Sequence, residues 1–422
     1  MVTLSQQELQ RMRVIEKAVD GRLSVSEAAC LLQRSERQVQ RLKRRFQPNS
    51  ADWVRHGNRG KPRSWALDSS LCQRVVALAR GKYARFNDSH LHQKLIEQEG
   101  FSLSRESVRR ILRKAKLASP QKRRPRQYRA RRPRRPRFGM MLQSDASRHD
   151  WLEGRGPRLT LIGFQDDATS RMVAAQFQGE PENAVGYFRC LHALLTTHGI
   201  PLSLYRDRHS IFQRNDPHWT LEEELSGQQF PTHLGRALDE LGIQQIAAHS
   251  PQAKGRIERT WRTFQDRLIS ELRLAQASNV EQANAVLAAF CPTFDRLFAV
   301  APAASVNDFR RLPRVFDLAR CLSFRYQRVV AVDHTVSWAG ETFQLPPVSS
   351  HHSFAGKLVE ISHQLDGSLR FYLDRLLLLT TQRPLKELVE PKPAVRSSAL
   401  KRKPKTPRIY NLGGRPALAA AT

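Results

Sequence analysis

Three acidic residues stand apart by where they fall: Asp145 in LQSDASRHDW, Asp207 in LYRDRHSIF and Glu258 in HSPQAKGRIERTWRTFQDRL. The two aspartates follow short apolar runs that read as strands, and the glutamate opens an amphipathic helix. A fold that brings these ends together makes a carboxylate cluster, and carboxylate oxygens are ligands that Mg²⁺ accepts readily. Two such ions roughly 4 Å apart can activate an attacking oxygen and stabilise a leaving one in an in-line displacement at phosphorus. The same chain carries 70 Lys plus Arg against 39 Asp plus Glu, a net charge of +31, so its natural partner is a polyanion. Carboxylates set in so basic a protein point to metal-dependent chemistry on a nucleic-acid backbone.

The neighbours of the three acids fit that chemistry. In the helix of Glu258, the residues Ile257, Trp261, Phe264, Leu268 and Leu272 fall on one stripe, which puts Glu258 at the edge of the buried face. Lys254, Arg256, Arg259 and Arg262 surround it and can meet phosphates, while Gly255 lets backbone approach closely. His149 and His209 follow the aspartates and can orient a ligand or touch the scissile phosphate. Asp150 is a candidate outer partner of Asp145. Asp166 and Asp167 fall in the turn segment DDATS, where Asp is favoured by local hydrogen bonding, and are read as turn residues rather than ligands. No GxSxG elbow or Cys-His signature offers a nucleophile. The five cysteines are scattered without a CxxC pair, against structural zinc and against a disulfide framework. His90 and His92 therefore read as ordinary core or surface histidines.

Positioning the acids requires a sheet. MMLQSD, RLTLIGFQDD and RMVAAQF read as strands, ENAVGYFRCLHALLTTHG as a helix, PLSLYRD as a strand, THLGRALDELG as a helix, IQQIAAH as a strand and the segment from about Ala253 to Leu274 as a long helix. This order describes a mixed sheet covered by helices, residues 138–275. A right-handed crossover between the strands of Asp145 and Asp207 sets them side by side with both carboxylates at neighbouring tips.

The rest of the chain reads as apparatus for binding DNA. Residues 1–46 carry capping signatures at Ser24 with Glu27 and at Ser35 with Gln38, a short turn between them and a basic second helix with Arg37, Arg41 and Arg44, the layout of a helix-turn-helix. Residues 47–65 are a linker. Residues 66–117 give a second unit of that kind, with Asp88 and Ser104 as caps and with Arg109 and Arg110 facing out. Residues 118–137 alternate Pro and Arg, including Arg131, Arg132, Arg134 and Arg135, and read as an extended segment laid along phosphates. A helical connector, 276–319, precedes alternating strands at 320–382 that read as a small β-barrel, and 383–422 read as a basic disordered tail. No run of about 18 apolar residues and no secretory signal is visible, so a cytoplasmic bacterial protein, nucleoid-associated when bound to DNA, is expected.

These phrases carry a family likeness. SDASRHDW, DDATSR, YRDRHSIF and SPQAKGRIERTWRTFQDRL resemble the signatures of integrase-core insertion-sequence transposases, most like the ISNCY group, within the DDE transposases and the retroviral integrase and ribonuclease H-like superfamily. The resemblance covers nearly the whole chain. It implies a multidomain protein with all-α helix-turn-helix units, an α/β ribonuclease H-like core and a C-terminal β-barrel. It makes Asp145, Asp207 and Glu258 the metal-binding triad, with two Mg²⁺ ions per site and Mn²⁺ as substitute, and gives Lys254 and Arg256 to DNA. It implies double-stranded DNA as partner, both the terminal repeats of the element and its target, no membrane, and at least a dimer when two ends are synapsed. The interval between Asp207 and Glu258 is longer than in retroviral enzymes, and their N-terminal zinc module is absent. The alternative is a domesticated DNA-binding regulator that no longer cuts.

Overall fold

The computed structural model describes residues 4–48, 50–55, 58, 67–120, 132–214, 217, 219–248, 255–348 and 353–382. The chain divides into two compact units. One is Met1–Gly81 with Ser102–Ala118, and the other is Lys82–Phe101 with Ser119–Thr422.

In the first unit, α1 (Gln6–Val19), α2 (Val25–Leu32) and α3 (Glu36–Arg44) close on Ile15, Ala18, Ala28, Ala29 and Val39. Ser24 and Glu27 form a reciprocal capping box, and Ser35 accepts from the Gln38 amide. The turn between α2 and α3 needs a left-handed residue, which Gln33 supplies at φ 52°, a conformation glycine would adopt with less strain. The same unit contains α4 (Ser69–Arg80) and, later in the chain, α6 (Arg105–Lys114), capped by Ser104. The helix between them, α5 (Asp88–Glu97), belongs to the second unit, so residues 66–117 are not one continuous module. Its cap is Asn87 rather than Asp88. α5 bonds the second unit through Asn87, His90, Gln93 and Lys94.

The second unit is built on a five-stranded sheet in the order β3-β2-β1-β4-β5, from β1 (Leu142–His149), β2 (Leu159–Asp166), β3 (Met172–Gln178), β4 (Ser203–Arg206) and β5 (Gln244–Ala247). β1, β2 and β3 are antiparallel neighbours, whereas β1, β4 and β5 run parallel. One face is covered by α7 (Ala184–Thr197) and α9 (His233–Glu240), with the short α8 (Leu221–Ser226) ahead of α9. The other face is covered by α10 (Gly255–Leu274) and α11 (Val280–Phe298). Alternation along the strands feeds both cores: Leu142, Ile162, Phe164 and Leu204 join the α7 side, while Leu159, Leu161, Met172 and Phe177 join Ile257, Trp261, Phe264 and Leu268 on the α10 side. This is the mixed, helix-flanked sheet expected of the central segment, and α11, read as part of a helical connector, packs into its core as well. α5 lies on α10, where the Glu271 carboxylate meets His90 Nε2 at 2.7 Å and Lys94 Nζ at 2.8 Å, and Asn87 bonds Asp266. His90 is thus a buried hydrogen-bond partner of Glu271, and burial lowers its pKa below the ordinary histidine value.

After the one-turn α12 (Leu318–Cys321), the chain forms β6 (Phe324–Val329), β7 (Thr335–Trp338), β8 (Glu341–Gln344), β9 (Leu358–His363), β10 (Ser368–Leu373) and β11 (Leu376–Gln382). The expected barrel is not closed among the described residues. β11-β10-β9-β6 is an open sheet whose edge strands do not pair with each other, and β7-β8 is a separate hairpin. The hairpin turn at Ala339 and Gly340, φ 50° and 82°, is of the kind that matches strand twist. The hairpin instead contributes Val336 and Trp338 to a core with Val359, Ile361, Leu369 and Phe371. β7 and β8, four residues each, pair with each other and with neither edge of that sheet among the described residues.

Candidate active site

The site begins where β1 and β4 part. Their parallel register pairs Leu142 with Leu204 and Gln143 with Tyr205, and then ends. Two places further along each chain stand Asp145 and Asp207. The expectation that Asp145 ends its strand needs correcting. β1 runs on to His149 because it stays paired with β2, Asp145 lying opposite Gly163. What ends near Asp145 is the β1–β4 pairing, and Asp207 is the first residue past β4. The two acids therefore stand where the β1–β4 pairing ends, between a strand that stays paired with β2 and one paired with β5. Ligand sites of open α/β sheets gather at such points.

α10 is laid along β1 by a ladder of polar contacts. Gln143 Oε1 accepts from the Ile257 amide at 3.3 Å, Trp261 Nε1 donates to Asp145 Oδ2 at 3.0 Å, and Gln265 Nε2 donates to Ser147 Oγ at 3.2 Å. Alternate strand residues are spaced about 6.6 Å and every fourth helix residue about 6 Å, so the rungs stay in step over two turns. Trp261 is 5% exposed and packs in the α10 core, which makes it both anchor and hydrogen-bond donor. A Cβ at Gly163 would come within 2.7 Å of the Trp261 ring, so only glycine there leaves room for the indole beside Asp145. Glu258, one turn before Trp261, is exposed on the first turn of α10.

A further acid, unmarked in the sequence, stands near the two aspartates. Glu182 lies just before the cap of α7 and accepts from the buried Tyr187 hydroxyl at 2.7 Å. Burial pushes its carboxyl up. The Tyr187 hydrogen bond and the charge of His209 oppose that rise, while the fields of Asp207 and Asp145 add to it. His209 is exposed; its amide donates to Asp207 Oδ1 at 3.2 Å and its Nδ1 accepts from the Ile211 amide. His149, four residues beyond Asp145 on β1, is about 13 Å further along the strand and rests edge-on against Trp151. Asp150 accepts from the Gly154 amide in the following turn.

Asp167 is a turn residue as read, whereas Asp166 closes β2, and both are fully buried. Asp166 accepts from the Gly139 and Thr169 amides and from the Thr169 hydroxyl; burial raises its carboxyl. Asp167 is an ionic hub. Burial alone would raise it, but the hydrogen bonds from Arg132 and the Arg135 amide, with the charges of Arg132 and Arg256, hold it below the usual carboxylate range.

The basic residues assigned to DNA part into two sets. Arg37, Arg41 and Arg44 on α3, and Arg109 and Arg110 on α6, are exposed. Arg132 and Arg256 instead reach Asp167, each at 2.5 Å, and Arg134 bonds the Asp167 carbonyl at 3.0 Å and Ser170 Oγ at 2.8 Å. Arg135 is exposed, with its backbone amide on Asp167. Arg131 and Lys254 lie outside the described residues.

Asp145, Asp207 and Glu258 offer only carboxylate oxygens, the donor set a hard divalent cation takes. Among the described residues no three His, Cys, Asp or Glu side chains already converge closely enough to hold a metal ion. Asp145 and Asp207 stand where the β1–β4 pairing ends, and Glu258 is exposed on the first turn of α10.

A helix-turn-helix domain family matches residues 10–63. "Putative transposase y4bF" of Sinorhizobium fredii is 36% identical over 370 residues, 87% of this chain and 79% of that protein. "Transposase for insertion sequence IS1202" of Streptococcus pneumoniae is 29% identical over 374 residues, 80% of this chain and 77% of that one. Among solved structures, a simian T-cell lymphotropic virus intasome in complex with PP2A regulatory subunit B56 gamma covers 73% of this chain and 98% of its own at 13% identity and TM-score 0.31. The catalytic core domain of BIV integrase covers 35% and 80% at 18% identity and TM-score 0.25. The chain belongs to the transposases of insertion sequences, a polynucleotidyl-transferase class of protein with a DNA-binding helix-turn-helix. No helix among its described residues is long and apolar enough to cross a membrane.

Proposed function

We propose that this transposase binds the terminal repeats of its own element, hydrolyses a phosphodiester to free a 3′-OH, and directs that hydroxyl at target DNA. The observation that carries this reading is the placement of Asp145 and Asp207 at the parting of β1 and β4, on the sheet covered by the helix that bears Glu258. These carboxylates would hold two Mg²⁺ ions, with Mn²⁺ as substitute, and bound metal there supplies activation of the attacking oxygen and stabilisation of the leaving one. Asp145 is held in place by the Trp261 indole and Asp207 by the turn that begins at its own side chain. Glu258, exposed and near the helix start, turns inward to complete the set. Cleavage and joining are both displacements at phosphorus, so one site serves both and no covalent protein intermediate is required.

The exposed arginines of α3 and α6 meet the phosphates and edges of the repeat DNA. Two element ends must be processed together, so the working form contains at least two copies of the chain, in the cytoplasm and on the nucleoid. The test uses purified protein, Mg²⁺ or Mn²⁺ and labelled DNA carrying the flanking repeats. Asp145→Asn, Asp207→Asn and Glu258→Gln each abolish cleavage and joining while leaving end binding nearly intact. Undiminished cutting by one variant removes that residue from the triad, and failure of the wild type to cut under any of these conditions favours a regulator that only binds DNA.

A further inference from the structure

One buried carboxylate outside the triad is bonded to the surroundings of all three of its members. Asp167 Oδ1 accepts from Gln143 Nε2 at 2.7 Å, from Arg256 Nη1 at 2.5 Å and from Arg132 Nη2 at 2.5 Å, and its Oδ2 accepts from the Arg135 amide at 2.8 Å. Gln143 lies two residues before Asp145, and Arg256 two before Glu258. The Arg132 guanidinium in turn lies over the ring of Tyr205, 5.6 Å from its centre, and Tyr205 is two residues before Asp207. Arg256 Nη2 closes the network by donating to the Arg132 carbonyl at 2.5 Å.

We propose that Asp167 is the positioning residue of the three carboxylates, fixing β1, β4 and the first turn of α10 in the register that lets Asp145, Asp207 and Glu258 share metal ions. The argument is one of charge and reach. Two guanidinium groups converge on one carboxylate in a buried setting, and without its charge they repel each other and lose a desolvated partner. Gln143 gives the network its precision: its amide nitrogen binds Asp167 while its oxygen receives the Ile257 amide. A displaced Asp167 therefore shifts the start of α10 relative to β1, and Glu258 moves with it. Residues 132–135, the end of the Arg/Pro-rich segment, act as the strap that closes this hub as well as a basic surface.

The inference rests on the triad reading, so its test carries a control for that reading. Full-length Asp167→Asn, close in shape but uncharged, is titrated with Mg²⁺ in the cleavage assay on repeat DNA. Cleavage at fixed Mg²⁺ should fall ten- to a hundredfold, as for other residues that support metal ligands. Half-saturating Mg²⁺ should rise, excess metal should restore part of the rate, and affinity for the repeat DNA should stay within twofold. Arg256→Lys, which keeps the charge but cannot bridge Asp167 and the Arg132 carbonyl together, should shift the Mg²⁺ requirement the same way by less, and it decides the matter if Asp167→Asn does not fold. An unchanged Mg²⁺ requirement in the folded variants, even with a lowered thermal midpoint, overturns the positioning role. Glu258→Gln, run alongside, separates the two ideas. Normal cutting by that variant sinks the triad itself, whereas its inactivity beside an unshifted Asp167→Asn sinks only the positioning.

Discussion

The two faces of the central sheet are covered in different ways. Against α7 the contact is almost wholly apolar, with Phe188, Leu191, Leu194 and Leu195 meeting Ile162, Phe164 and Leu204. Against α10 an equally buried apolar stripe is accompanied by hydrogen bonds that α10 donates to Gln143, Asp145 and Ser147, and by the Asp167 hub at one end. Apolar packing is non-directional and fixes proximity. A ladder of donors and acceptors adds register, because each rung tolerates only a few tenths of an ångström. The helix that carries Glu258 is the one that receives this second constraint.

The largest expected effects separate packing from registration. Trp261→Ala should cost about 3–5 kcal/mol, read as a lowered midpoint in thermal or urea unfolding, together with loss of cleavage. Phe188→Ala on the α7 face should cost a similar 3–5 kcal/mol yet leave the Mg²⁺ requirement of the folded fraction unchanged. Trp261→Phe sharpens the contrast: it keeps an aromatic ring in the core, though a smaller one, and removes the donor to Asp145. A hydrogen bond to a charged group contributes about 1.5–3 kcal/mol, and cleavage should fall by more than that loss of stability explains. Wild-type cleavage by Trp261→Phe would reduce Trp261 to packing alone and make the two faces equivalent. A wild-type unfolding midpoint for Trp261→Ala would instead move the residue to the DNA surface.

An intermediate effect comes from adding one methyl group to each face. A Cβ at Gly163 would meet the Trp261 ring at 2.7 Å, and one at Gly186 would meet Gln178 Oε1 at 1.9 Å and Ile162 Cδ1 at 2.4 Å. Overpacking typically costs about 1–3 kcal/mol, so Gly163→Ala and Gly186→Ala should both lower the unfolding midpoint. Only Gly163→Ala displaces the indole that holds Asp145, so only it should lower cleavage at a temperature where both variants are folded. Equal activities for the pair would erase the distinction between the faces.

Much of this arrangement can be read from residue order, and the remainder cannot for a definable reason. The stripe Ile257, Trp261, Phe264, Leu268 and Leu272 specifies a buried face of α10 because helical period is local information, and all five are buried as expected. The capping residues Ser24, Ser35 and Ser104 act where they stand because a cap is decided within four residues. Glu182 gives no such signal: its nearness to Asp145 and Asp207 depends on how α7 returns across the sheet. Asp167 misleads for a related reason. Its turn position is plain from DDATS, but its partners Arg132, Gln143 and Arg256 are 35, 24 and 89 residues away. The arginines show the same limit. Arg37 on α3 and Arg132 beside Asp167 lie in equally basic stretches, and only the fold decides which guanidinium is left for phosphate. Strand alternation indicates β structure after residue 320, but closure is decided by which edges meet, so the barrel reading does not hold for the described strands.

The smallest expected effect tests whether the ladder acts as a whole or through its middle rung. Gln265 donates to Ser147 one turn beyond Trp261, on the far side of Asp145 from Glu258. Gln265→Ala removes one neutral hydrogen bond, about 0.5–1.5 kcal/mol, and the unfolding midpoint should fall only slightly. If register is imposed by the Asp167 hub and the Trp261 rung, the start of α10 stays where it is and cleavage, Mg²⁺ requirement and DNA affinity all remain at wild-type values. A raised Mg²⁺ requirement in Gln265→Ala would mean that the helix is registered along its length and that the hub has no privileged role. The outcome is informative because Gln265 lies a turn beyond Trp261 and about two turns beyond Glu258, so a response there reports how α10 is registered along β1.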